Sequence, residues 1–303
     1  MIKPLCLTML VAYFLTACAT AGRDSVPLSQ AEEVGFSQQE IIDFGQMVNL
    51  TYDQFHRYSS DFSPPAPDTF VAGYRATQNL HSQDKPSDSK REFYGYLARS
   101  NADPQHLIIA VRGTSDAAEW LDDVKFDKVP FSHNAKHGRV ELGFKQVFDR
   151  FAISDFGSRH DVSLDEYLAA LEDVSMITVV GHSLGSSLAT LMAFDFSVKG
   201  YADEIRILTF ASPRTGDHHF SAAFVAQVPN SLRVVNEPDL VPRVPPRLFK
   251  FRHVWHELKI DSRLHSRVKR SVTCFHSLST YLYVLTRSQH ASQFEPTAEC
   301  LAL

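Results

Sequence analysis

Met176-Ile177-Thr178-Val179-Val180-Gly181-His182-Ser183-Leu184-Gly185-Ser186-Ser187-Leu188-Ala189 decides the reading of this chain. A run rich in β-branched residues leads into Gly-His-Ser-Leu-Gly, and a Leu/Ala/Met-rich, helix-compatible stretch continues to about Phe196. The pattern reads as strand, sharp turn and helix with a serine at the apex, the layout of a nucleophile elbow. Such a turn strains the serine backbone, and side chains two residues before or after it would make strand and helix collide. Gly181 and Gly185 occupy those two positions. The helix behind Ser183 would turn its first N–H groups and the positive end of its dipole toward a developing oxyanion.

Outward from this stretch, strands and helices alternate. Phe70 to Thr77, Phe93 to Ala98, His106 to Val111, Ile205 to Phe210 and Leu232 to Val235 read as strands. Phe36 to about Tyr58, Val140 to Phe151, Asp217 to Val228 and His276 to Leu285 read as helices. Ser37 with Glu40, and Ser163 with Glu166, fit capping boxes. Phe249 to Ile260 reads as extended, and no internal repeat occurs. This alternation predicts an α/β fold in one domain, a mainly parallel central sheet with helices on both faces.

The 303 residues are 44% hydrophobic and 21% charged, ordinary for a globular chain with a core. A net charge of −5 argues against nucleic acid as the partner. At the N-terminus Lys3 precedes an apolar run to Leu15, a secretory leader too short to span a bilayer comfortably. Leu15-Thr16-Ala17-Cys18 resembles a bacterial lipobox, which makes Cys18 the lipid-attachment residue. With Ala19 next, the expected location is the bacterial cell envelope, lipid-anchored at the outer membrane. The expected division is a lipoprotein signal peptide over 1–17, a tether over 18–35 and one α/β domain over 36–303. Cys274 and Cys300 then remain, either paired to pin the C-terminal tail or left as two free thiols.

A serine hydroxyl needs a base, and the base needs an orienting acid. After the elbow, the acid belongs in a loop just past a strand. Asp239 is so placed, with Glu237 and Asp261 as rivals. Five histidines follow Asp239: His253, His256, His265, His276 and His290. Position favours His276, at the junction of a β-like run and a helix. No paired ligand motif such as H-E-x-x-H occurs, so no metal and no cofactor are expected.

Together these residues resemble the class 3 (fungal-type) triacylglycerol lipase family of the α/β-hydrolase superfamily. Gly181 to Gly185 is similar to its elbow, Val111-Arg112-Gly113-Thr114 to its oxyanion loop, and Phe210-Ala211-Ser212-Pro213-Arg214-Thr215-Gly216 to its Phe-Gly-Ser-Pro-Arg-x-Gly. Val234 to Pro242 is similar to its acid loop, and His276 with Tyr281 to its His-x-x-x-x-Tyr ending. The resemblance runs from about residue 70 to 285. It implies Ser183 as nucleophile, Asp239 as acid and His276 as base. It also implies an oxyanion hole from the N–H groups of Thr114 and Leu184, a structural role for Arg112, and either a lid residue or a core-packed ring at Trp120. The expected partner is a lipid ester substrate at a membrane reached through the N-terminal lipid anchor.

Three positions depart from the family pattern: Glu141 stands for a histidine, Ala211 for a glycine and Ser187 for a glycine or alanine. They bear on substrate preference more than on catalysis. Arg243 to Arg270 carries nine Arg and Lys residues, a run that would favour phosphate headgroups if it forms a surface near the site. The expected activity is thus hydrolysis of lipid carboxylic esters through an acyl-enzyme. Phospholipase A1-like or short-chain and feruloyl-type esterase activities are the alternatives, with a non-catalytic envelope lipoprotein as the reading from another class.

Overall fold

A computed structural model describes residues 29–83, 90–114, 126–254, 256–287 and 294–302. The expectations for Cys18, for Trp120 and for His290 fall outside these residues. Among the described residues, nine strands form one mixed sheet: β1 (Tyr74–Ser82), β2 (Glu92–Ser100), β3 (His106–Val111), β6 (Ala152–Ser154), β7 (Val162–Ser163), β8 (Met176–His182), β9 (Glu204–Phe210), β11 (Ser231–Asn236) and β13 (Glu257–Ile260). Their order is β13-β11-β9-β8-β3-β2-β1-β6-β7. The run from β13 to β3 is parallel, while β2, β1, β6 and β7 extend it antiparallel. A smaller sheet joins β4 (Lys128–Pro130), β5 (Arg139–Glu141), β10 (Gly216–Asp217) and β12 (Phe251–Arg252).

Because side chains alternate across a strand, each parallel strand feeds two cores. Leu107, Ile109, Ile177, Val179 and Ile207 face one core, with the helices α3 (Leu142–Phe148), α4 (Leu164–Ala169), α5 (Leu184–Lys199) and α6 (His218–Gln227). Ile108, Ala110, Val180, Leu208 and Val234 face the other, with α1 (Ser29–Glu32), α2 (Gln38–Arg57) and α8 (Leu278–Arg287) on that side; the short α7 (Val272–His276) leads into α8. The fold is that of the α/β-hydrolases.

Several element boundaries differ from the sequence pattern. Ala31, Val34 and Phe36 are buried in the second core, so the folded domain begins before residue 36 and takes in the end of the expected tether. The expected helix from Val140 splits into β5 and α3, because the Glu141 side chain accepts from Phe144 N at 2.7 Å and starts the helix there. The strand expected over 70–77 runs instead from Tyr74 to Ser82. Both capping serines accept the N3 backbone N–H as expected, Ser37 from Glu40 and Ser163 from Glu166.

Candidate active site

Ser183 sits between β8 and α5 with φ 57° and ψ −129°, a strained backbone for a residue with a side chain. The reason for its two glycines is steric. A Cβ on Gly181 would lie 2.3 Å from Gly185 O, and one on Gly185 would lie 2.4 Å from Val111 O and 2.5 Å from Arg112 O. All these obstacles are backbone. Ser183 N donates to Phe210 O at 3.0 Å, which ties the elbow to the end of β9.

His276 Nε2 is 2.9 Å from Ser183 Oγ, and His276 Nδ1 is 2.9 Å from Asp239 Oδ2. All three side chains are buried. Asp239 also accepts from Tyr281 OH at 2.7 Å and from Val241 N at 2.9 Å. The Tyr281 hydroxyl in turn accepts from Asn236 N at 3.0 Å, and burial beside Asp239 pushes its pKa well up, so it remains a donor. Asn236 holds the approach to the histidine, donating to Phe275 O at 2.8 Å. A disulfide joins Cys274, two residues before His276, to Cys300, with Cα atoms 5.2 Å apart.

The rival acids lie elsewhere. Glu237 and Asp261 both pair with Arg263, at 2.9 and 2.7 Å. Among the rival bases, His253 is held on Pro242 O at 2.7 Å and His265 packs against the Tyr283 ring. His256 stands at φ 49° just before β13.

A second chain of hydrogen bonds, which no sequence motif marks, joins the elbow to its surroundings. Gly113 N donates to Tyr52 OH at 2.8 Å, Tyr52 OH meets His182 Nδ1 at 2.9 Å, and His182 Nε2 meets His276 O at 2.9 Å. Burial and the neighbouring His276 hold the His182 pKa well below its ordinary value, so the ring is neutral. A carbonyl accepts only, which places the ring proton on Nε2 and leaves Nδ1 to accept from Tyr52. Every donor then has one acceptor. Tyr52 belongs to α2, whose amphipathic pattern marks it as an ordinary helix residue; no local motif singles it out.

Gly113 lies against the elbow, where an added Cβ would come 2.9 Å from Ser183 Cβ. Next to it, the Thr114 hydroxyl is buried with no partner among the described residues. Leu184 opens α5, and the first N–H groups of a helix have no intrahelical acceptor. Arg112 is buried behind the loop, donating to Phe93 O at 2.8 Å and Gly113 O at 2.7 Å, with Glu92 as its counter-charge and Phe55 stacked 3.6 Å away. The three departures are accommodated. Glu141 caps α3, Ser187 Oγ accepts from Thr215 Oγ1 at 3.2 Å, and Ala211 takes φ 54°, which explains why a glycine suits that position.

The arrangement can activate a hydroxyl, shuttle one proton and hold a negative oxygen. Fold and site together define the α/β-hydrolase class with a Ser–His–Asp constellation. Residues 108–249, a little under half of the chain, match the model of the Lipase (class 3) family. Phospholipase A1-II 5 of Oryza sativa subsp. indica is 31% identical over 80% of this chain and 64% of its own length. Phospholipase A1-II 3 of the same source is 29% identical over 84% of this chain and 74% of its own. The chain therefore spans under two thirds of the first relative. Among solved structures, the lipase of Rhizopus microsporus var. chinensis superposes with a TM-score of 0.55 at 20% identity, covering 74% of each chain. The Rhizomucor miehei lipase propeptide complex gives 0.56 at 22%, covering 82% of this chain and 79% of that one. At these identities the likeness is one of fold.

These comparisons correct the expected location at a bacterial outer membrane. The relatives are plant phospholipases, one of Arabidopsis thaliana described as chloroplastic, and the structural neighbours are fungal lipases. No helix among the described residues is long and apolar enough to cross a membrane.

Proposed function

We propose that this protein is a serine hydrolase of lipid carboxylic esters, with glycerophospholipid as the favoured substrate class. The observation that carries the reading is the buried Ser183–His276–Asp239 chain, with both links at 2.9 Å. As His276 Nε2 takes its proton, Ser183 Oγ attacks the ester carbonyl. Asp239 holds the opposite ring nitrogen and steadies the imidazolium that forms. The Leu184 and Thr114 N–H groups receive the oxyanion, and the unpartnered Thr114 hydroxyl is a third donor beside them. Loss of one such donor typically costs about 2.7–4 kcal/mol of transition-state stabilisation. His276 then protonates the leaving alcohol, and water repeats the cycle on the acyl-enzyme.

The choice of glycerophospholipid over triacylglycerol is supported by the sequence relatives, which are named phospholipases A1. The test is to treat wild type and Ser183→Ala with a fluorophosphonate probe, then assay both on phosphatidylcholine and on triolein. Labelling and turnover by wild type alone are expected. An unlabelled wild type defeats the serine hydrolase reading, and faster cleavage of triolein than of phosphatidylcholine reverses the substrate preference.

Two expectations on residues outside the described ones stand as separate proposals. Acylation of Cys18 after a leader over 1–17 predicts palmitate label on wild type and none on Cys18→Ser. A lid at Trp120 predicts that Trp120→Ala slows hydrolysis of aggregated lipid more than that of a dissolved short-chain ester; equal slowing would remove the lid role.

A further inference from the structure

Beyond the triad, where the loops after β9 and β11 meet β13, lies a cavity of about 360 Å³. Its lining includes Arg214, Arg243, Arg247, His253, Lys259 and Arg263 but none of Ser183, Asp239 and His276. Pro242 and Arg243, just downstream of Asp239, form part of the wall. The cavity thus opens on the same edge of the sheet as the catalytic residues, outside the carboxyl ends of the parallel strands, where ligands of α/β sheets bind.

The charges in this wall do not balance locally. Lys259 is 3.4 Å from Glu257, and Arg263 pairs with Glu237 and Asp261. Three guanidiniums have no carboxylate among the described residues. Arg214 donates to the carbonyls of Arg243 and Pro245, Arg243 donates to Glu237 O at 2.9 Å, and Arg247 meets no acceptor among the described residues. Arg214 is only 9% exposed, and its Nε is buried with no partner among the described residues. Burial, together with Arg247, Arg233 and Arg252, pulls its pKa down to about 10, still high enough to stay charged. His253 is held neutral and gives its Nε2 proton to Pro242 O, so it adds no cation. A buried cation with an unused donor, faced by further cations, is costly unless an anion completes it. Guanidinium forks match the several acceptor oxygens of a phosphate.

We propose that this cavity is a phosphate-binding site beside the catalytic centre, with Arg214 at its base and Arg243 and Arg247 at its rim. The phosphate is that of a phospholipid headgroup or a free inorganic phosphate. The headgroup form rests on the lipid hydrolase reading; the free form does not.

Arg243→Gln and Arg247→Gln alter exposed side chains, so folding is not at stake, and Arg247→Glu supplies a charge reversal. The first arm titrates wild type and variants with inorganic phosphate by calorimetry, and compares Tm in phosphate with Tm in chloride at equal ionic strength. Wild type is expected to bind and to melt higher in phosphate. Each Gln variant binds roughly tenfold more weakly, the loss of one charge-assisted hydrogen bond, and Arg247→Glu loses the Tm rise. The second arm measures turnover of dioctanoyl phosphatidylglycerol relative to dioctanoylglycerol, which shares the acyl chains and lacks phosphate. A roughly tenfold fall of this ratio in the variants assigns the site to the headgroup. Lost phosphate binding with an unchanged ratio assigns it to free phosphate. If wild type neither binds phosphate nor shows a ratio that responds to the variants, the proposal is overturned. A wild type that cleaves neither lipid defeats the hydrolase reading alone, and the titration still decides the site.

Discussion

Replacing Tyr52 by phenylalanine removes one oxygen from α2 and leaves the ring in place. That oxygen accepts from Gly113 N at 2.8 Å and meets His182 Nδ1 at 2.9 Å, so its loss strands a buried donor in the loop before Thr114 and a ring nitrogen beside the elbow. Each unsatisfied buried group costs about 1–3 kcal/mol, which gives about 3 kcal/mol for the pair at the lower half of that range. In a domain of this size that lowers Tm by roughly 6–12 °C. The kinetic effect is separate. Thr114 follows Gly113 directly, so a loop freed from Tyr52 weakens one oxyanion donor, and a tenfold to hundredfold drop in kcat with little change in KM is expected. The assay is steady-state hydrolysis of a dissolved p-nitrophenyl ester at a temperature well below both melting transitions. A Tyr52→Phe protein that melts lower yet keeps wild-type kcat would show that the chain of bonds supports the fold and not the chemistry. One that matches wild type in both would refute the reasoning altogether.

Three further outcomes follow from the same contacts. The Cys274–Cys300 bond spans a sequence separation of 26, and constraining a loop of that length is worth about 3.5 kcal/mol in the chain-entropy treatment; Cys300→Ser should melt roughly 7–14 °C lower, and an unchanged melt in differential scanning calorimetry would show the bond to be idle. Burial, then Arg206, lowers the pKa of His106 from 6.5 to about 4. The unfolded chain therefore binds a proton that the folded one refuses between these values. Stability is full above pH 6.5 and falls by up to about 3 kcal/mol as pH drops to 4; His106→Asn should flatten that part of a Tm-versus-pH curve, and an equally steep curve would argue against it. Leu248 is 87% exposed in the turn that carries Arg247, so Leu248→Asp should reduce co-sedimentation with phospholipid vesicles several-fold, and undiminished binding would exclude this turn from lipid contact.

The parts of the site that local sterics dictate were legible in the sequence. Gly181 and Gly185 are fixed by backbone atoms a few residues away or on the next strand, and a requirement so short-ranged leaves a spelled motif. Elements set by distant partners were not. The strand that ends at Ser82 runs past the expected end at Thr77 and takes in the polar residues Asn79 and Ser82. They are buried because Asn79 donates to Pro64 O at 2.8 Å and Ser82 to Val147 O at 2.7 Å, and no sequence period encodes those acceptors. His276 was expected to open the last helix, whereas it closes the five-residue α7 before α8 begins. Tyr52 was invisible for a simpler reason. A tyrosine on an apolar helix face reads as packing, and only the approach of Gly113 and His182 gives its hydroxyl a task.

The side chains that meet at Ser183 come from three separate connections, yet each is held by backbone groups as well as by its partners. Ser183 N is bonded to Phe210 O, Asp239 receives Val241 N, and the His276 carbonyl meets His182 Nε2. The backbone that carries the proposed triad is therefore anchored without a substrate, which would lower the reorganisation a substrate demands on arrival. The proposed oxyanion loop is secured differently, by side chains reaching it from outside: Tyr52 from α2 and Arg112 from beneath. Tyr52 lies outside residues 108–249, the segment that matches the family. A chain cut back to that segment would keep Ser183 and Asp239 but lose both His276 and the hydroxyl that holds Gly113. The proposed active site is consequently a property of the whole sheet together with α2 and α7, and the matched segment alone does not suffice to build it.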